Sequence, residues 1–356
     1  MRGKQMKLTF RWYGDKDAVS LDKIRQIPVI SGIVSAIDDI LPGEVWPQEQ
    51  IEAIKNKANA HGLEFEVVES VAVHEDIKLG EKSRDKYIEN YIETMKRLSR
   101  AGIKVICYNF MPVFDWMRSN LRFKNEDGSE SLAYEHDKVI KFNPLTLSED
   151  LNLPAWDKSI GKERMKKLLD IYNEFTDERY FANLKYFLDA VIPAAEKYDI
   201  KMAIHPDDPP WSIYGLPRII GQERNFQKFL DLNKSAYNGV TFCAGSLGCY
   251  KNNDLEKMIE MAKGRIHFAH LRNVKIEGEK DFRETAHPSV CGSLDMYRLV
   301  KKLYDTGFDG YIRPDHGRQI WGESGNRAGY GLYDRALGAM YIAGLIEAIE
   351  KEAKNV

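Results

Sequence analysis

The chain has 356 residues, 52 Lys and Arg against 54 Asp and Glu, a formal charge of −2 and 43% hydrophobic residues. That balance excludes binding of nucleic acid through a general basic surface, which needs a surplus of cations to neutralise phosphates. Four cysteines (Cys107, Cys243, Cys249, Cys291) without a CxxC pair exclude a disulfide scaffold and predict reduced thiols.

The first residues, MRGKQMKLTF, run into RWYGDKD rather than an apolar core, so no secretory leader is expected, and residues 1–5 read as extra sequence before Met6. Short runs rich in β-branched and aromatic residues then recur, each followed by a segment with helical spacing. The first two are LTFRWYG from Leu8 and GIVSAI from Gly32, with a helix predicted over Pro47 to Gly62. EFEVVES from Glu64 precedes a helix whose apolar face is Ile88, Tyr91, Ile92, Met95 and Leu98, with Ser83 as its cap and Gly102 at its end.

IKVICYNF from Ile103 is the fourth run, and about seventy residues separate it from the next predicted helix, Arg179 to Asp199, where connections beyond ~15 residues are uncommon unless functional. This insertion, approximately residues 111–178, reads either as a surface excursion with short helices or as a cap over the strand ends. Phe114, Trp116 and Met117 favour a cap that packs down.

IKMAIHPDD from Ile200, GVTFCAG from Gly239, IHFAHLRN from Ile266 and YIRPDHG from Tyr311 complete the set, with helices over Asp254 to Gly264, Ser293 to Gly307 and Asp334 to Lys354. The most apolar stretch, GAMYIAGLI from Gly338, is about half the ~18 residues of a membrane span. Eight βα units without a break in composition predict an α/β fold, a single (β/α)8 TIM barrel over residues 1–356 in a cytoplasmic protein, with no membrane partner.

In such a barrel, polar residues at the C-terminal strand ends converge on one mouth. The last four strands end in His205, Cys243, His270 and Asp315, each one βα unit from the next. Two imidazoles, a thiolate and a carboxylate suit Mn, Fe or Zn better than Mg or Ca, which prefer oxygen alone. Period-two alternation turns Ala203, Thr241, Phe268, Arg272 and Arg313 to the same side as these residues, and His267 away from them. An inward arginine must be paired or meet an anion; Arg313 stays divided between an acid such as Glu69 and the substrate, and Arg272 is assigned to substrate. His316 follows Asp315, and Tyr330 lies in the Gly-rich stretch WGESGNRAGYGLYD, both capable of proton transfer. No GxxxxGK[ST], GxGxxG or GxSxG motif is present.

YNFMPVFDW, VESVAVHEDIK, AIHPDDPP with YGLPRI, TFCAGSLG, HLRNVK and RPDHGR with WGE together resemble the mannonate dehydratases, from the first strand to the last helix. Met117 stands where many members are expected to carry a small hydroxyl residue. The resemblance implies a xylose-isomerase-like barrel, one Mn(II) or Fe(II) per active site, and loss of water from D-mannonate to give 2-keto-3-deoxygluconate in glucuronate catabolism. Its metal ligands fall on His205, Cys243, His270 and Asp315 and its catalytic pair on His316 and Tyr330, with Arg272, Arg313 and Trp116 toward the substrate. Tyr330 is read as base and His316 as acid, with the exchanged roles left open, as is assembly into a homo-oligomer. A metal-dependent sugar isomerase or epimerase, and a noncatalytic sugar-acid binding protein, are the alternatives.

Overall fold

The computed structural model describes residues 6–147 and 160–354. Residues 1–5, part of the insertion (148–159) and residues 355–356 therefore lie outside the described residues. Each of the eight sequence runs forms a parallel strand: β1 (Lys7–Arg11), β2 (Gly32–Ser35), β3 (Glu64–Glu69), β4 (Val105–Tyr108), β7 (Lys201–Ile204), β8 (Asn238–Cys243), β9 (Ile266–His270) and β12 (Tyr311–Arg313). They close into a barrel in the order β1-β12-β9-β8-β7-β4-β3-β2. Val34, Val67, Val105, Cys107, Ala203 and Phe268 form a separate buried cluster. Such branched and small side chains fill the interior of a barrel of this size and leave its mouth for chemistry.

The helices lie close to their predicted spans, among them Gln48–Ala60, Arg84–Arg100, Asp177–Tyr198, Leu255–Met261, Met296–Asp305 and Tyr333–Lys354. On Arg84–Arg100 the buried side is Ile88, Tyr91, Thr94, Met95 and Leu98, and Gly102 takes the left-handed φ of 81° that ends it. Ser83 does not cap this helix. Its backbone is already helical, and its hydroxyl donates to Asp76 Oδ2 at 2.6 Å, a competing local bond.

The insertion after β4 holds a hairpin, β5 (Asn120–Lys124) and β6 (Glu130–Tyr134), turning at Gly128 with φ 81°. A second excursion follows β9, with β10 (Val274–Ile276) and β11 (Phe282–Glu284). The two excursions join edge to edge into an antiparallel sheet of order β10-β11-β6-β5, an element the sequence reading did not contain. No helix among the described residues is long and apolar enough to cross a membrane.

Candidate active site

The register sets His270 between Cys243 on β8 and Arg313 on β12. His205 follows β7 directly, its backbone N–H donating to the Tyr108 carbonyl at 2.6 Å. Asp315 stands two residues past β12 with φ 64°, a left-handed backbone uncommon outside glycine and tolerated best by Asp and Asn. The ligand atoms of His205, Cys243 and His270 lie within 4.8 Å of one another. Asp315 joins them, Oδ2 at 3.7 Å from Cys243 Sγ and Oδ1 at 3.8 Å from His270 Nδ1. His205 Nδ1 is 2.7 Å from the Pro206 carbonyl, which can only accept. A proton is thereby fixed on Nδ1, which leaves Nε2 as the nitrogen turned toward the cluster, 3.2 Å from His270 Nδ1. Asp315 Oδ1 accepts no hydrogen bond, although Arg313 Nη2 lies 2.8 Å away off axis. Two imidazoles, a thiol and a buried carboxylate with an open oxygen fit a single divalent transition metal.

In a second triad, Glu69, Cys107 and His270, the ligand atoms also lie within 4.8 Å of one another. Arg313 fills it: Nε is 3.0 Å from His270 Nε2 and 3.1 Å from Glu69 Oε2, and Nη2 is 3.1 Å from Glu69 Oε1. A guanidinium there repels a cation, so this triad serves as backing for His270, with Glu69 Oε1 3.4 Å from His270 Nε2.

Above the cluster, His316 Nδ1 faces both oxygens of Glu284 at 3.0 Å, and His316 Nε2 meets the Tyr330 hydroxyl at 3.0 Å. Burial raises the Glu284 carboxyl, but His316, Arg272 and Arg118 overcome this and hold it down at about 2. Glu284 is therefore an anion that can only accept; Nδ1 carries the imidazole proton, and the Tyr330 hydroxyl donates to Nε2. Burial outweighs Arg313 at Tyr330 and leaves its phenol raised. Asp315 is held well below the carboxylate range: burial opposes ionisation, and Arg313, His316 and Arg272 win.

Seven of the nine predicted residues line one cavity of about 1440 Å³, Trp116, His205, Arg272, Arg313, Asp315, His316 and Tyr330, while Cys243 and His270 are fully buried and outside its lining. The Trp116 ring lies 5.2 Å from that of His316. Both inward arginines are met by acids. Arg272 contacts Asp208 at 2.7 Å and Asp315 at 2.6 Å, while Arg313, paired as above, retains an Nη1 without a hydrogen-bond partner.

Four contributors had gone unrecognised. Arg118, fully buried, donates to both oxygens of Asp208 at 2.7 and 3.0 Å and to Glu284 at 2.6 Å. Asp208 sits inside the motif AIHPDDPP, and Arg118 lies two residues past the end of YNFMPVFDW, so their nearness to these motifs was the available signal. Glu284, in the charged run GEKDFRETAHP, carried none. The fourth, Tyr13, packs edge-on against Tyr330 with ring centroids 4.9 Å apart.

His267 points away from the mouth as alternation predicts, its Nε2 2.3 Å from where a Cβ on Gly239 would stand. Burial, with Lys201 and Arg265 nearby, pulls its pKa from 6.5 to about 3. On acidification the unfolded chain takes up this proton first, so stability falls as pH drops below 6.5 toward 3. The His267 share of that loss is about 2 kcal/mol between pH 7 and pH 5. Denaturant unfolding of His267→Phe across this range should show a correspondingly flatter acid limb; an unchanged slope would refute the assignment.

The family model described as D-mannonate dehydratase (UxuA) matches residues 6–356. A mannonate dehydratase of Thermotoga petrophila is 54% identical over 360 residues, covering 98% of this chain and 99% of the relative. Mannonate dehydratase 2 of Halalkalibacterium halodurans is 54% identical over 346 residues, covering 97% and 99%. The crystal structure of mannonate dehydratase from Streptococcus suis serotype 2 superposes with a TM-score of 0.90 at 45% identity, covering 99% of this chain and 95% of that one. A xylose isomerase domain protein from Planctomyces limnophilus, at 12% identity and a TM-score of 0.53, shares the fold alone. With such identity sustained from the first barrel strand to the last helix, the chain belongs to the D-mannonate dehydratase family.

Proposed function

We propose that the protein removes water from D-mannonate to give 2-keto-3-deoxy-D-gluconate, a step of glucuronate catabolism in the cytoplasm, using one Mn(II) or Fe(II) ion. The observation that carries this reading is the hydrogen-bonded Glu284, His316 and Tyr330 chain set directly beside the four candidate ligands. His205, Cys243, His270 and Asp315 would hold the ion, which when bound supplies Lewis acidity to the carboxylate end of the substrate. The excursions after β4 and β9 act as the cap that keeps water out.

The C2 proton is weakly acidic because its loss adds negative charge next to a carboxylate. Tyr330 becomes a base by passing its phenol proton to His316 Nε2, and Glu284 stabilises the imidazolium so formed. The Tyr330 oxygen then takes the proton from C2. His316 returns its proton to the departing C3 hydroxyl, which leaves as water, and the enol relaxes to the 2-keto acid. Both residues end as they began, so the cycle needs no proton from solvent. Arg313 Nη1, the unpartnered donor, is assigned to the substrate, with Trp116 beside His316; Arg272 acts on it through Asp315 and Asp208.

Incubation of metal-loaded protein with D-mannonate is expected to yield a 2-keto-3-deoxy acid. Chelation should abolish turnover, and Mn(II) or Fe(II) should restore it. Interconversion of an aldose and a ketose without keto-acid formation would overturn the proposal in favour of an isomerase.

A further inference from the structure

Arg335 lies in the first turn of the helix Tyr333–Lys354 and is 1% exposed. The helix dipole disfavours a cation at that end. No carboxylate among the described residues lies within ion-pair distance of it, whereas Arg118, Arg272 and Arg313 are each met by acids. Burial pulls its pKa down to about 10, with Asp17 opposing from longer range, so it remains a cation at neutral pH.

Its donors go to backbone carbonyls instead. Nη2 donates to the Tyr330 carbonyl at 2.8 Å, Nε to that of Gly331 at 2.6 Å, and Nη1 to that of Arg11 at 3.1 Å. The guanidinium also lies 4.1 Å from the Phe10 ring centroid and 5.4 Å from that of Tyr330. Arg11 ends β1, whereas Tyr330 belongs to a loop in which Gly322, Gly325 and Gly329 all take positive φ. One planar side chain thus ties a glycine-rich loop to the rigid rim of the barrel.

We propose that Arg335 is a positioning residue for Tyr330, gripping its carbonyl and ring from the end of β1 so that the phenol oxygen stays against His316. The proposal rests on the reading of Tyr330 as a proton-transfer group. A displacement of about 1 Å at a reacting group can cost ~10²-fold in rate. Arginine suits the task because its planar fork serves three carbonyls at once, which lysine cannot do in one geometry.

The test is a double-mutant cycle on the metal-loaded enzyme. Arg335→Met should lower kcat by about 10–100-fold when Tyr330 is present. KM for D-mannonate and metal content should stay within about twofold, as expected for an effect confined to the reacting group. In a Tyr330→Phe background the same substitution should change kcat by less than about twofold, because the group it positions has gone. Guanidinium ion added to Arg335→Ala should restore turnover with Tyr330 present and have no effect in Tyr330→Phe. Equal losses in both backgrounds would assign Arg335 to general stability and overturn the proposal, as would normal turnover of Arg335→Met. If Arg335→Met does not fold, Arg335→Lys enters the same cycle with the same criteria. Should the wild type convert no D-mannonate, the functional reading fails on its own, and 19F NMR of a chain carrying 3-fluorotyrosine at position 330 still decides. One sharp resonance that broadens or splits in Arg335→Lys supports positioning, and an unchanged line overturns it.

Discussion

Exchange of Tyr330 for phenylalanine is expected to lower kcat for D-mannonate by about 10²–10⁴-fold, the usual worth of a proton-transfer group. The change removes one oxygen and leaves the ring against Tyr13 and His316. Metal content and KM should be nearly unaltered. His316→Asn should fall in the same range, because Tyr330 then has no imidazole to receive its proton. Since the two act as one unit, the double variant should be little worse than either single one. Steady-state kinetics with metal analysis of each protein checks this. Near-normal turnover in either metal-loaded single variant would remove the pair from the mechanism.

Arg118→Met should destabilise the protein by about 3–5 kcal/mol, the range for removing one partner from a buried ion pair. Methionine fills much of the same volume, so the loss reports charge rather than a void. Asp208 and Glu284 would be left buried with less compensation, sharing Arg272, which also serves Asp315. For a chain of this length the melting point should drop by on the order of 5 °C. Adding Glu284→Gln should recover part of the stability by removing one stranded charge while keeping turnover low, because His316 loses its anionic partner. Denaturant unfolding of both variants tests the scheme, and an Arg118→Met protein within about 0.5 kcal/mol of wild type, the range of neutral surface changes, would refute it.

The barrel was legible because its strands are short Val- and Ile-rich runs, each too short for a helix, and such runs between helical segments have few other solutions. The convergence of His205, Cys243, His270 and Asp315 was legible for a related reason: a barrel brings its strand ends together whatever their separation in sequence, so the four could be collected without knowing any angle. Alternation also placed Arg272 and Arg313 correctly, but it could not say which acids they would meet. The sheet β10-β11-β6-β5 was illegible on different grounds. β10 and β11 have three residues each, too few for any periodicity, and pair with a hairpin far away in sequence. Glu284 was hidden with them, since its role depends entirely on that pairing. The Ser83 cap failed because Asp76, which no local pattern places beside it, takes its hydroxyl proton.

The composite sheet also bears on how the protein is made. Tyr134, the last residue of β6, and Glu284, the last of β11, are 150 residues apart, a distance a ribosome covers in roughly 8–30 s at ~5–20 residues per second. Throughout that interval β6 has β5 on one side and an open edge on the other, the kind of edge that recruits foreign strands. Closure of that edge by β11 delivers Glu284 to His316 in the same event. Sealing that edge and furnishing His316 with its acidic partner therefore fall to one strand, and neither is complete before β11 is made.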